Sequence, residues 1–419
     1  MMFQVVLIFF YAAVFAFLVF KLSFFAIQGL KKAHLVGLWF FKVLGALLYV
    51  FIAKYVIEGG DIFNYYEDGL IVYNNLLAGD FLTYMQLTFG LNNVAISSNI
   101  AASVDAMGYW FDTSAYMMVR LNALFNLFTF GTGVYVNAIF FAFISFLAAI
   151  CLAKVFQQML NPGTKVLLVA FLMPSLWYWT AGMHKEGFSV FLAALLMFGL
   201  VQMHKSKYHY GISLVVIGFS LLFFTRFFIA ALLLPPLLAY AISMRWSNLA
   251  PLAVNIAVFL FFGLVSYLIP KLLHTPNLVD AIIAKKALYE ALSNANTAID
   301  LGSYEQSYWG IIQSTPQALF NAIVRPHFLD VNSVYLGLAS AESLLIAILF
   351  VLSLFYVKNC SRNEKVILYL FISFSLSYLL LAGLIVPNLG AILRYRSVAL
   401  FFLIPSLFFI LTKKDELDY

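Results

Sequence analysis

The sequence predicts an all-α fold, a polytopic transmembrane helical bundle of about 11 spans. Of its 419 residues, 64% are hydrophobic and only 10% are charged, and the mean hydropathy is +0.97. A soluble domain carries about 25% charged residues. The apolar stretches are long and continuous, whereas the strands of a membrane barrel alternate apolar and polar residues over about 10 positions. Composition therefore indicates a membrane protein, and the continuity of the stretches favours helices over strands.

Eleven apolar stretches are candidates for membrane-spanning helices, which need about 20 residues each, although several are shorter. They are 3–20, 35–57, 134–156, 165–183, 188–203, 211–225, 227–243, 249–269, 336–357, 366–386 and 398–412. The region 211–243 fits either one broken helix or two helices joined at Arg226. We expect the whole chain, 1–419, to form one transmembrane domain.

Lysine and arginine residues set the predicted orientation, because short cytoplasmic connectors are enriched in them. With the N-terminus outside, the cytoplasmic connectors contain Lys21, Lys31, Lys32, Lys205, Lys207, Arg245, Lys358, Arg362, Lys365, Lys413 and Lys414. Cys151 and Cys360 then lie at or near the reducing side. We therefore expect an integral protein of the cytoplasmic (inner) membrane, with the N-terminus outside and the C-terminus in the cytoplasm.

This orientation places most carboxylates on the outer side. Of the 18 Asp and Glu residues, 14 lie there, and the four on the inner side are Glu364, Asp415, Glu416 and Asp418. Two long connectors, 58–133 and 270–335, are also outside. Patterns over 70–90, 114–130 and 277–296 predict helices within them, the first two lying at the interface. Long connectors are usually functional, so we expect the functional site on the outer face.

Several functional classes find little support in the sequence. The net charge of +6 does not indicate nucleic acid binding, because topology explains most of the basic residues. The two cysteines are far apart and form no CxxC motif, so a cysteine-bound metal is not expected. The N-terminus has no basic segment followed by a small-residue cleavage site, so we expect it to be retained. Finally, no GxGxxG, P-loop or HExxH motif occurs.

The triplet His184-Lys185-Glu186 interrupts two strongly apolar runs. Burying a charge at membrane depth costs roughly 2.5–3.5 kcal/mol on insertion scales, so the triplet predicts a turn at an aqueous surface or a functional group. We expect Glu186 to orient Lys185 by pairing with it. A solvated turn with the same pair is the alternative.

A second charged segment follows the helix predicted over 35–57. Gly59 and Gly60 release the chain from that helix, and Asp61 comes directly after them, with Glu67 close by. An ionisable residue at the membrane edge predicts a functional group, so we expect Asp61 to be functional, the alternative being a helix-capping or turn carboxylate. We also expect the 184–186 turn and Asp61 to face each other.

Cations and carboxylates elsewhere on the predicted outer side complete the candidate site. The cations are His184, Lys185, Arg226, Arg325, His327, Arg394 and Arg396, and the carboxylates are Asp61, Glu67, Glu186 and Glu342. Arginine forks bind phosphate oxygens in pairs, and a carboxylate beside a sugar hydroxyl can act as a general base. This set therefore favours a lipid-linked phosphate or pyrophosphate as substrate. Carboxylate oxygens could also hold one Mg²⁺ or Mn²⁺, although no spacing requires a metal.

Some of these charges have structural alternatives. Glu342 fits a salt bridge to one of the arginines as well as it fits chemistry. Arg394 and Arg396 could instead extend to outer head groups, and Arg325 and His327 could be solvated in their loop. Lys42 and Lys54 lie inside an apolar stretch, and we expect each to extend to a different membrane surface.

The glycine turn followed by Asp61 in the first long outer connector resembles the GT-C superfamily of integral-membrane glycosyltransferases. The chain is similar also to the EpsG-like polysaccharide polymerases. The resemblance extends over 35–412, and the helix 3–20 precedes the part that matches. It implies that Asp61 is the catalytic base and that polyprenyl-phosphate-linked sugars are substrates, with the cations as candidate phosphate ligands.

These observations predict a membrane glycosyltransferase that uses a polyprenyl-phosphate-linked sugar donor at the outer face, in cell-surface glycan assembly. Its partners would be the lipid-linked sugar and membrane lipid. One alternative is a polysaccharide polymerase or ligase on polyprenyl-pyrophosphate-linked glycans, which the number of arginines keeps open. A transporter or flippase is another, although connectors of unequal length argue against the internal repeat that many such proteins have. The third is a non-catalytic membrane subunit of a larger assembly.

Overall fold

A computed structural model describes residues 2–92, 97–292, 297–302 and 304–413. Within these ranges the chain forms helices and no β-strand, which confirms the all-α prediction. The predicted inner-side residues Lys414, Asp415, Glu416 and Asp418 lie outside the described residues. So do 293–296, the end of the helix predicted over 277–296.

The described ranges contain eighteen α-helices. In chain order they are α1 (Met2–Lys21), α2 (Lys32–Tyr55), α3 (Asp61–Leu77), α4 (Phe81–Phe89), α5 (Ser98–Asp105), α6 (Thr113–Thr129), α7 (Val134–Met159), α8 (Thr164–Leu172), α9 (Pro174–Trp179), α10 (Lys185–His204), α11 (Tyr208–Thr225), α12 (Phe227–Arg245), α13 (Pro251–Leu273), α14 (Leu278–Leu292), α15 (Tyr308–Ile323), α16 (Val334–Tyr356), α17 (Arg362–Ile385) and α18 (Leu389–Thr412).

Ten of the helices in the described part of the chain are long and apolar enough to cross a membrane, so this is a polytopic helical membrane protein. They are α1, α2, α7, α10, α11, α12, α13, α16, α17 and α18. A lipid environment offers no hydrogen-bond partners, so a spanning segment must satisfy its own backbone, and a helix does this.

The span predicted over 165–183 is divided into α8 and α9. Met173 has an extended backbone at the break, with φ −61° and ψ 126°. Pro174 follows it, and a proline disfavours helical geometry in the residue before it. Neither piece is long enough to cross a membrane alone, which is why this predicted span is absent from the ten.

One of the two expected arrangements of 211–243 is confirmed, and one predicted helix of the first long connector divides. The region 211–243 forms two helices, α11 and α12, with Arg226 between them at φ −150° and ψ 75°. The helix predicted over 70–90 breaks at Gly79, whose φ of 86° favours glycine. Asp80 then caps α4 by accepting a hydrogen bond from Thr83 N at 3.0 Å. The prediction over 114–130 matches α6.

The described residues cluster into two compact units. The first comprises Met1–Gln158 and Phe171–Phe228, and the second comprises Met159–Ala170 and Ile229–Tyr419.

In the first unit, helices α3 to α6 of the first long connector enclose a small core of their own. It consists of Val72, Tyr84, Leu87, Ile100, Val104, Met107, Trp110, Tyr116, Val119 and Ala123. Helices α3 and α6 approach closely at Gly69, where a Cβ atom would lie 2.6 Å from Asn122 Cβ. Glycine is therefore required there, and this packing fixes α3 against α6.

Helices α10 and α11 of the first unit pack closely along one glycine-lined interface. A Cβ atom on Gly199 would lie 2.8 Å from Gly211 O, and one on Gly218 would lie 2.9 Å from Leu192 O. Small residues allow two membrane helices to approach in this way. Because the two helices are antiparallel neighbours in sequence, the start of α10 and the end of α11 lie at the same end of the pair.

In the second unit, the second long connector folds back onto the turn between α17 and α18. Ile299 N donates to Pro387 O at 2.8 Å, and Leu389 N donates to Thr297 O at 3.0 Å. Helix α15 also packs tightly on α17, since a Cβ atom on Gly383 would lie only 1.9 Å from Ala318 O. This connector is therefore an integral part of its unit.

Candidate functional site

Asp61 is the first residue of α3. Gly60 precedes it with φ 130°, a conformation that favours glycine and lets the chain turn sharply into the helix. Asp61, Tyr65 and Asp68 follow at intervals of four and three residues and therefore lie along one face of α3. The predicted glycine turn is confirmed, and it places the Asp61 carboxylate at the start of this face.

Tyr109, in the loop before α6, contacts this face of α3. Its hydroxyl donates to Asp61 Oδ1 at 3.2 Å, and its ring lies 5.0 Å from the Tyr65 ring, between centroids. The backbone that carries it is held by Asp68, which accepts from Gly108 N at 3.2 Å and from Tyr109 N at 2.9 Å. One carboxylate of α3 thus positions the tyrosine that donates to another.

The electrostatics of this group keep the tyrosine a hydrogen-bond donor. Burial raises the pKa of Tyr109 to about 12, and the negative charge of Asp61 adds to the effect. Burial also raises the pKa of the Asp68 carboxyl, against the two backbone hydrogen bonds that lower it. Tyr109 therefore remains protonated at neutral pH and faces Asp61 as a donor.

The turn before α10 is built into aromatic surroundings. His184 is the residue that precedes α10, is buried, and packs edge-on against Tyr49 with centroids 4.5 Å apart. Gly187 allows the turn to close, because a Cβ atom there would lie 2.3 Å from Thr180 O. The turn is therefore tightly packed, contrary to the solvated alternative, and the predicted phosphate ligand His184 is buried.

Lys185 extends from this turn towards α3 and α6. Its Nζ atom lies 5.9 Å from the centre of the Tyr65 ring and 3.6 Å from Asp112 Oδ2. Asp112 caps α6 by accepting from Ala115 N at 3.0 Å. Because Tyr65 lies one helical turn from Asp61, the Lys185 ammonium and the Asp61 carboxylate approach the same tyrosine pair, Tyr65 and Tyr109.

Glu186 bonds to the other predicted cation of this unit. Arg226 Nη2 donates to Glu186 Oε1 at 2.5 Å, and this carboxylate is buried. The sequence had led us to expect Glu186 to pair with Lys185. The pair with Arg226 has a physical reason, because the packing of α10 on α11 brings the start of one helix beside the end of the other.

A further hydrogen bond fixes the same end of α11. Ser114 Oγ donates to Thr225 O at 2.6 Å, one residue before Arg226. Ser114 lies in the first turn of α6, whose cap is Asp112. The start of α6, which carries Asp112, is thus hydrogen-bonded to the end of α11, which precedes Arg226.

Lys42 is hydrogen-bonded to the residues just before the turn that precedes α10, and the prediction made for it is wrong. It was expected to extend to a membrane surface, but its side chain is buried. Its Nζ atom donates to Leu176 O at 2.9 Å and to Thr180 Oγ1 at 2.7 Å. The ammonium thereby joins the Thr180 hydroxyl, which also donates to Leu176 O, in satisfying the end of the short helix α9, where the last carbonyls have no partner within the helix. Lys54, by contrast, is exposed, as expected.

Two arginines predicted to bind phosphate are engaged inside the second unit. Arg396 is fully buried and donates to Arg325 O at 3.0 Å and to Ser343 Oγ at 2.8 Å. It also lies 3.5 Å from Glu342 Oε2, so Glu342 forms the arginine salt bridge that was one of its two expected roles. The Arg396 guanidinium is therefore part of the packing of α16 against α18.

Arg325 is held by a carboxylate in its own loop. Its Nε and Nη2 atoms donate to the two oxygens of Asp330 at 3.0 and 2.5 Å, a two-point contact of the kind expected for phosphate. His327 N donates to the same carboxylate at 3.0 Å. Hydrogen bonding by Arg325 holds the pKa of Asp330 below its ordinary value.

Arg394 and Glu67 are the remaining predicted residues. The Arg394 guanidinium lies over the Tyr395 ring, 5.3 Å from its centre, in the second unit. Glu67 is exposed on α3. Its neighbour Asp68 is the buried carboxylate, because the face of α3 that packs on α6 carries Asp68.

Asp112, Tyr109 and Asp68 were missed as site residues. Asp112 had an available signal, since an aspartate just before an apolar helix is a common cap. Tyr109 had none, because its position depends on a fold of the connector. As for a metal, the described residues include no group of three or more His, Cys, Asp or Glu side chains arranged to hold one. The divalent cation therefore stays a prediction.

Comparison with known proteins assigns no family to this arrangement. The chain has no matching protein-family model and no significant match among curated proteins or solved structures.

Proposed function

We propose that this protein is a membrane glycosyltransferase that uses a polyprenyl-phosphate-linked sugar donor at the outer face of the membrane, in cell-surface glycan assembly. One observation carries the proposal. Asp61 and Lys185 approach a single tyrosine pair in the first unit, Asp61 through the Tyr109 hydroxyl and Lys185 over the Tyr65 ring. A carboxylate and an ammonium on the same short platform suit a reaction that removes a proton and releases a phosphate.

The proposed reaction assigns one role to each charge. A hydroxyl of the acceptor attacks the anomeric carbon of the donor sugar, and the Asp61 carboxylate takes the hydroxyl proton. The bond from the anomeric carbon to the phosphate oxygen breaks, and its electron pair leaves with polyprenyl phosphate. Lys185 stabilises the negative charge that develops on this leaving group.

The arginines of the second unit favour a transferase over a polymerase acting on pyrophosphate. Two of the arginines that kept the polymerase open, Arg325 and Arg396, have protein partners for their guanidinium groups. A single phosphate needs fewer cations than a pyrophosphate does. Lys185 in the first unit would supply one positive charge for one phosphate.

The experiment measures release of polyprenyl phosphate by the purified full-length protein. The probes are polyprenyl-phosphate-linked hexoses, offered with a mixture of mono- and oligosaccharide acceptors. We expect Asp61→Asn and Lys185→Met each to lower the rate at least about 100-fold, the lower end of what a positioned acid–base group contributes.

The matched control is Asp105→Asn, which neutralises a carboxylate at the end of α5 in the same connector. It should retain the wild-type rate. Normal release by both Asp61→Asn and Lys185→Met, with wild-type thermal stability, contradicts the enzyme proposal. It would favour the alternative of a non-catalytic subunit.

A further inference from the structure

The ion pair between Lys185 and Asp112 leads to an inference that deepens the proposed function and rests on it. Lys185 Nζ and Asp112 Oδ2 are 3.6 Å apart, longer than the 2.7–2.9 Å of a close ammonium–carboxylate hydrogen bond. The side chain of Lys185 is 14% exposed and that of Asp112 is 53% exposed. The pair is therefore loose, and it is open to solvent on the side of Asp112.

Asp112 is held in place independently of Lys185. Its Oδ1 atom accepts from Ala115 N at 3.0 Å, at the start of the 17-residue helix α6. Its own N–H donates to Tyr109 O at 3.1 Å. The capping bond uses one carboxylate oxygen and directs the other, Oδ2, to the ammonium. After burial and the charge of Asp61, the charge of Asp112 is a further, smaller cause of the raised pKa of Tyr109.

We propose that Asp112 takes the place of the donor phosphate at Lys185 while the site is empty, and that the phosphate displaces it on binding. A carboxylate and a phosphate both present anionic oxygens to an ammonium, so the two compete for it. The competition sets the affinity of the site for polyprenyl phosphate. Asp112 is thus a positioning residue for Lys185 and weakens binding of the anionic ligand.

Because Asp112 caps a helix, one substitution can remove its charge while keeping its contribution to the fold. Asparagine caps helices about as well as aspartate does, so Asp112→Asn keeps the acceptor for Ala115 N and removes the charge. Asp80 caps α4 in the same way, accepting from Thr83 N at 3.0 Å. Asp80→Asn is therefore the matched control for any effect of neutralising a cap.

The experiment measures binding of a sugar-free polyprenyl phosphate to the full-length protein in detergent, followed by its tryptophan fluorescence. We expect Asp112→Asn to bind about two- to fivefold more tightly than wild type, the range for an exposed ion pair. Asp80→Asn should bind as wild type does. The gain should disappear when Lys185→Met is combined with Asp112→Asn, because the gain acts through the ammonium.

The outcomes separate this inference from the proposed function. Unchanged or weaker binding by Asp112→Asn, or an equal gain in Asp80→Asn, overturns the inference, as does a wild-type protein that does not bind polyprenyl phosphate. Tighter binding by Asp112→Asn without any sugar transfer by wild type supports the competition while contradicting the glycosyltransferase. In an active wild type, the same variant should show a lower KM for the donor.

Discussion

Arg226 donates to Glu186 across 2.5 Å and joins the end of α11 to the first turn of α10, although 40 positions separate the two residues. The Glu186 side chain is 2% exposed and that of Arg226 is 18% exposed. Neither charge is well solvated, so each depends on its surroundings for compensation. The pair therefore holds the turn from which Lys185 extends.

Removing one member of this pair should destabilise the protein strongly. Glu186→Gln leaves the Arg226 guanidinium without its buried carboxylate, and Arg226→Gln leaves the carboxylate without its cation. Each change should cost up to roughly 3–5 kcal/mol of unfolding free energy, because it removes one charge of a hydrogen-bonded ion pair whose carboxylate is buried. Thermal unfolding of the detergent-solubilised protein measures the loss.

The double variant tests whether the two residues act on each other. Glu186→Gln with Arg226→Gln removes both charges and should be less destabilised than the sum of the single variants. Lys207→Gln, at the exposed start of α11, controls for loss of a cation from this hairpin. Strictly additive losses would show that the pair does not couple the two helices.

A pH dependence of stability is expected from Asp330. Hydrogen bonding by Arg325 lowers the pKa of Asp330 from its ordinary value of 3.8. A carboxyl with a lowered folded-state pKa stabilises the fold above the unfolded value and loses this contribution as pH falls through the folded value. The contribution of Asp330 to stability should therefore be steady from neutral pH down to about pH 4 and fall at lower pH.

The variant Asp330→Asn isolates this carboxylate. It should be less stable than wild type at pH 7, by roughly 1.5–3 kcal/mol for hydrogen bonds to a charged group. The difference from wild type should narrow as the pH is lowered below about 4, because wild type loses the same interaction there. A difference that stays constant down to pH 2 would show that Asp330 does not titrate with its contact to Arg325.

Replacing Lys42 should loosen the short helix α9 and the turn that follows it. Lys42→Met keeps the length of the side chain but removes the donors to Leu176 O and Thr180 Oγ1. Leu176 O still accepts from Thr180 Oγ1, and Thr180 Oγ1 still lies 2.9 Å from Ser145 Oγ. The cost is therefore that of the lost hydrogen bonds from a charged donor, roughly 1.5–3 kcal/mol, and the unfolding temperature should fall. Lys54→Met is the control on the same helix, since Lys54 is exposed, and it should leave stability unchanged.

Composition was sufficient to predict the helical membrane fold, because a lipid environment leaves a spanning chain few other ways to satisfy its backbone. The turn at Gly60 and Asp61 was also predictable, since glycine and aspartate act locally there. The break at Pro174 carried a local signal as well, because proline constrains the residue before it. Predictions of this kind depend on neighbours in sequence.

The partners of the charged residues were not predictable in the same way. Arg226 and Glu186 are 40 positions apart, and Arg396 and Glu342 are 54 apart. Which cation meets which carboxylate depends on the helices that pack together, and close packing at glycines such as Gly199 decides this for α10 and α11. Predictions based on charge alone therefore identified Arg325 and Arg396 as ligands, whereas packing engages both within the protein.

The Tyr109 hydroxyl should affect the reaction without affecting binding of the donor. Tyr109→Phe removes the donor to Asp61 Oδ1 and keeps the ring that packs on Tyr65. The kcat for transfer should therefore fall several-fold to about tenfold, which is the range for the loss of one hydrogen bond. KM for the donor should change little. Asp68→Asn should lower kcat similarly, because Asp68 holds the backbone of Tyr109, and the double variant should lose little more than either single one. Tyr73→Phe, which removes another tyrosine hydroxyl of α3, is the control. A wild-type kcat in Tyr109→Phe would mean that Asp61 does not use this hydrogen bond in catalysis.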